Sequence, residues 1–70
     1  MMKLEELIRD LEKGERVLLV DPISQLNCTV GYLNTYKFFR DAEVERFQVD
    51  EDGMLTIIVK DIIRVEGENQ

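Results

Sequence analysis

At Gly14 the hydrophobic period of this chain changes. Before it, Leu4, Leu7, Ile8 and Leu11 recur at the spacing of one helical face. After it, apolar residues recur at every second position, which is the spacing of strands. One such switch within seventy residues confines the chain to a single α+β domain, mostly β. The expected architecture is an N-terminal α-helix followed by a five-strand antiparallel small barrel or curled sheet.

The helix is expected over residues 3–13. Glu5 and Glu6 fall in its first turn, where they complement the helix dipole. Lys13 falls in its last turn, and Gly14 suits the left-handed position that ends a helix. Strands are expected over residues 15–21, 26–36, 43–50, 54–60 and 62–66. In the first strand Val17 and Leu19 oppose Leu18 and Val20, so both faces are apolar and both call for cover. Pro22 marks a turn. In the second strand Leu26, Cys28, Val30 and Tyr32 share a face, and Gly31 offers a sharp bend.

Val44, Phe47 and Val49 slip by one residue in phase. A bulge near Glu45-Arg46 would reconcile them. Asp52-Gly53 fits a two-residue hairpin turn, and Gly67–Gln70 reads as a frayed tail. The expected core centres on Leu7, Leu11, Val17, Leu19, Val30, Leu55, Ile57, Val59 and Val65.

A chain this short buries only ~60% of its unfolded surface, and its core is thin. With one cysteine and no histidine it has no internal disulfide and no structural zinc site of the usual kind. Homo-oligomerisation is one remaining source of burial. The unpaired Cys28 and the absence of a signal-like or membrane-length apolar run suit a cytoplasmic protein with no membrane association.

The layout of residues 3–66 resembles the Sm-like family, which includes the Hfq type of RNA chaperone. The likeness lies in Glu15-Arg16-Val17 after the helix, Gly31-Tyr32-Leu33 at the bend, and Met54 through Glu66 as strand, break at Lys60-Asp61 and strand. SH3-like barrels fit the same layout. The resemblance implies a closed small barrel. It does not carry RNA-binding residues over. Asn34-Thr35-Tyr36-Lys37-Phe38 stands where typical Sm proteins have Asp-x-x-Met-Asn, and Lys60-Asp61 replaces the Lys-His pair of the Hfq type. The nearer functional analogy is the Rof type of Rho-termination inhibitor, a small acidic Sm-like protein that binds another protein.

Residues 41–70 carry nine acidic and three basic side chains within a chain of net charge −6. Such a field repels phosphate backbones and disfavours nucleic acid as a partner. Asp41, Glu43 and Glu45 alternate along one strand, and Asp50, Glu51 and Asp52 follow at the hairpin. Together they form a candidate surface for a basic protein partner, or a solvated strand edge that resists aggregation. Tyr32, Tyr36, Phe38 and Phe39 cluster beside Lys37 and Arg40. Tyr36 and Phe39 are the candidate aromatic anchors, with core filling as the other use of the cluster.

No catalytic set, metal site or cofactor site is expected. Cys28 has no histidine to activate it, and no phosphate-cradling glycine loop is present. The expected function is a non-catalytic acidic interaction module, a regulator or inhibitor of a basic nucleic-acid-handling protein. The alternatives are a homo-oligomeric Sm-like ring binding RNA through Tyr36, Lys37 and Arg40, and a structural subunit of a larger assembly.

Overall fold

A computed structural model describes residues 1–62. In chain order the elements are β1 Met2–Lys3, α1 Leu4–Ile8, β2 Arg16–Val20, β3 Gln25–Thr29, α2 Val30–Thr35, α3 Lys37–Arg40, β4 Glu43–Val49 and β5 Leu55–Val59. The five strands form one sheet in the order β1-β4-β5-β2-β3. The two most apolar strands, β2 and β5, therefore take the inner positions. Their alternation explains the core. Val17 and Leu19 of β2 lie beside Leu55 and Ile57 of β5, and with Val59 they face the helices.

This sheet differs from the expected antiparallel barrel in two ways. β2 and β5 pair in parallel, and the other three pairings are antiparallel. Among the described residues the sheet is open, with β1 and β3 at its ends. The physical reason lies in the connection between β3 and β4. It is helical, and it carries the chain across the sheet instead of folding straight back as a hairpin would. The expected strand over 62–66 lies outside the described residues apart from Ile62, as does the core position Val65 and the expected frayed tail.

The expected helix 3–13 is also shorter in the structure. Helix α1 ends after Ile8 and the chain turns through residues 9–15. Two carbonyls of this turn are taken by distant donors. Gly31 N–H donates to the Lys13 carbonyl at 2.9 Å and Val30 N–H to the Glu15 carbonyl at 2.9 Å. Those bonds fasten the end of the turn to the start of α2. At the other end, the Lys3 N–H donates to Glu6 Oε1 at 2.8 Å, satisfying a donor at the helix start. Leu4 and Ile8 are buried, and Leu7 and Leu11 pack around them.

Residues 30–36 are helix α2 and its end, not the second half of a long strand. Thr29 is extended and its Oγ1 accepts from Tyr32 N–H at 3.2 Å. That bond caps α2, and Val30 and Leu33 become its buried face. Tyr36 is extended again and separates α2 from α3. The register of β4 shifts between Val44 and Arg46. Because of that bulge Val44 and Phe47 pair with Val59 and Ile57 on the same face. At the β4–β5 hairpin Gly53 has φ +85, a conformation that favours glycine.

Candidate functional site

The eight candidate residues fall into three places. Asp41 ends α3 and Glu43 begins β4, and both carboxylates are engaged. Asp41 Oδ2 lies 2.6 Å from Lys37 Nζ and its Oδ1 lies 3.9 Å from Lys3 Nζ. The hydrogen bond from Lys37 holds the Asp41 carboxyl below its ordinary range against an opposing effect of desolvation, with the charges of Lys37, Lys3 and Arg40 each adding a smaller pull. Glu43 Oε2 lies 2.8 Å from Lys60 Nζ. That bond and the charge of Glu43 raise the Lys60 ammonium above its ordinary value. These pairs answer much of the negative charge expected at this end of the run.

Asp50, Glu51 and Asp52 lie at the β4–β5 hairpin, while Glu45 lies at the bulge near the start of β4, where its charge adds to that of Glu43 on Lys60; all four are exposed. Asp50 shapes the turn. Its Oδ1 accepts from Asp52 N–H and Met54 N–H at 2.9 Å each, and Gly53 N–H donates to its carbonyl at 3.0 Å. The hairpin therefore presents Glu51 and Asp52 on a fixed backbone.

The two aromatic candidates fare differently. Phe39 is 2% exposed and is a core residue, so its expected role as an exposed anchor is corrected. Phe38 and Phe39 lie in a short helix, and the chain turns there to carry Phe39 inward. Tyr36 is half-buried, with ring centroids 5.4 Å from Tyr32 and 5.4 Å from Phe38. Tyr32, expected on one strand face with Leu26, Cys28 and Val30, is the exposed ring of the cluster at 44%.

Sequence reasoning placed Phe47 and Val49 on a strand and missed their exposure. Phe47 is 50% and Val49 65% exposed. Both share a face with Ile57 and Leu55, yet unlike Ile57 they stay open to solvent. Their strand is also open along this stretch. β1 pairs only with Val44 and Glu43, so among the described residues Glu45–Val49 has a strand neighbour on one side alone. No sequence signal announced this exposure, because it follows from β1 being only two residues long, and the sequence pattern did not show β1 as a strand.

Cys28 lies in a shallow depression lined by Arg16, Leu26, Asn27, Thr29 and Tyr32. Burial pushes its thiol above the ordinary value, against the weaker pull of Arg16. A raised thiol is a poor nucleophile. Arg16 itself is turned to Asn27, with Nη2 3.0 Å from Oδ1. Among the described residues no group of three or more histidine, cysteine or carboxylate side chains is placed to hold a metal ion, and no helix is long and apolar enough to cross a membrane. No family model matches the chain, and neither a curated protein nor a solved structure does.

Proposed function

We propose that this chain is a non-catalytic acidic protein-interaction module that docks a basic partner through the Glu45–Gly53 end of β4 and its hairpin. The observation that supports this reading is the pairing of exposed Phe47 and Val49 with the exposed carboxylates of Glu45, Glu51 and Asp52 on one strand and turn. Apolar side chains at the centre supply the contact area, and surrounding charge steers the encounter. Regulation or inhibition of a nucleic-acid-handling protein is the role that suits an acidic surface competing for a basic one, as in the Rof-type analogy. The buried, unpaired Cys28 thiol suits a cytoplasmic setting.

The RNA-binding alternative has weaker support. Lys37 is engaged with Asp41, and Arg40 Nη1 donates to the Asn34 carbonyl at 2.7 Å. The test is affinity capture from the native cell extract with the wild-type chain, Phe47→Asp and the Glu45→Lys/Glu51→Lys pair. Proteins retained by wild type and lost by both variants support the proposal. Retention that ignores both variants, or tight filter binding of short RNAs at low salt, overturns it.

A further inference from the structure

We infer that the partner is bound as an added β-strand along Glu45–Val49 of β4. The segment it contributes is extended, apolar at alternate positions, neutral between them, and lysine- or arginine-rich at the end that reaches Glu51 and Asp52. This inference rests on the interaction reading above and specifies its mode and chemistry.

The backbone makes the first part of the argument. β4 runs through seven residues, Glu43–Val49. β1 covers only Glu43 and Val44. The remaining outward-facing amides and carbonyls form an open ladder among the described residues. Such an edge accepts a further strand, with main-chain bonds giving affinity and alternate side chains giving specificity. The other edge strand, β3, offers exposed Gln25 and Asn27 and no exposed large apolar side chain.

The side chains set the chemistry. Phe47 and Val49 lie on one face of β4, opposite Ile57 and Leu55. Arg46 and Gln48 lie on the other, opposite Ile58 and Thr56. A strand laid against this edge places alternate residues beside Phe47 and Val49, and apolar groups there extend the existing core. Its intervening residues lie beside Arg46 and Gln48, so cationic groups are excluded from them. The hairpin carries Asp50, Glu51 and Asp52, and cations belong at that end. A second copy of the chain is the wrong occupant by charge. It would bring its own Glu45 and Asp50–Asp52 hairpin against the same acidic edge.

The test uses the full chain and a synthetic peptide of alternating valine and threonine ending in lysines. Two control peptides accompany it. One replaces the lysines by glutamates, and the other carries N-methyl groups on the amides of one edge. Backbone NMR and amide hydrogen exchange are followed during titration. The expected result is binding with new protection confined to Glu45–Val49, and at least tenfold weaker binding by each control. Phe47→Ala should weaken binding at least fivefold, and Val49→Thr should do so as well if the first variant folds poorly.

Equal binding by the N-methylated peptide overturns strand addition and leaves an interaction surface at β4 standing. Protection appearing at Gln25–Thr29 instead assigns the wrong edge to this inference. Absence of binding by the lysine peptide overturns it outright, while the capture experiment judges the interaction reading separately. A peptide-free dimer abolished by Phe47→Ala makes a second copy the occupant and overturns the assignment of partner.

Discussion

The amide of Gly31 donates to the carbonyl of Lys13 at 2.9 Å, and the two residues are so close that a side chain at position 31 would meet its partner. A Cβ built there lies 3.3 Å from the Lys13 carbonyl oxygen and 3.4 Å from its Cβ. The glycine is therefore fixed by approach to another segment, and its φ is not the reason. Replacing a helical glycine by alanine ordinarily gains about 0.5–1 kcal/mol. Gly31→Ala should forfeit that gain, and Gly31→Val should destabilise by more than about 1 kcal/mol through overpacking. Chemical denaturation reads both. Full stabilisation by alanine would show that the Lys13 contact yields easily.

Thr29 marks the point where strand becomes helix. Losing its bond to Tyr32 N–H leaves an α2 donor without its cap. Thr29→Ala should cost about 1 kcal/mol, and Thr29→Ser should cost much less. Equal losses in the two variants would assign the effect to the methyl group and not to the hydroxyl.

Ile57 and Phe47 are cross-strand neighbours with opposite expected sensitivities. Ile57 is fully buried, and Ile57→Ala should lose about 2–5 kcal/mol by leaving a cavity. Phe47 is half exposed, and Phe47→Ala should lose under about 1.5 kcal/mol, since about half of its apolar surface is already in water. Thermal or urea unfolding of the two variants checks this. Comparable losses would place Phe47 in the core and remove it from any docking surface.

The Cys28 thiol is buried and held protonated by that burial. Alkylation by iodoacetamide at neutral pH should be slow in native buffer and rapid in denaturant. Its native rate then reports local opening of β3. Fast native labelling would contradict the buried placement.

Asp41 sets the direction of one pH dependence. Its folded-state carboxyl titrates below its ordinary range because Lys37 donates to it and Lys3 and Arg40 lie near. The stability it contributes is therefore present above the ordinary carboxylate value and is lost as pH falls through the lowered folded value. Asp41→Asn should flatten the acid limb of the stability curve and leave the alkaline limb unchanged. The pair is exposed, so the effect is small and shrinks with salt. An unchanged acid limb would show that Asp41 is equally placed in the unfolded chain.

What could be read from the sequence was what short-range chemistry decides. β2 falls within the expected 15–21 and β5 within 54–60 because each is a short, nearly continuous run of apolar and β-branched residues bounded by turn residues. The Val44-to-Phe47 phase slip pointed to the bulge that the structure contains. Asp52-Gly53 marked where the hairpin turns, but the loop is longer than the two residues expected: Val49 pairs with Leu55, and Asp50 N–H donates to the Met54 carbonyl across Glu51–Gly53. What could not be read depends on residues distant in sequence. Leu26, Cys28, Val30 and Tyr32 alternate as a strand would, yet the carbonyls of Lys13 and Glu15 and the Thr29 hydroxyl turn Val30–Thr35 into a helix. The same gap misassigned the site. Whether Phe39 or Phe47 meets solvent depends on which strand lies near an edge, and strand order is set by the parallel β2–β5 contact.

That contact governs how the molecule assembles. β2 and β3 form a local hairpin, and β4 and β5 form another. Joining them requires closing the long connection that runs from Val20 through β3, α2, α3 and β4 to Leu55. Loop closure of this kind is costly before contacts reward it. Contact order therefore predicts that the two hairpins form early and that the docking of β5 against β2 completes the core late. Until it does, the most apolar edge of the chain stays open to water and to other strands, making the interval before closure the time of greatest aggregation risk.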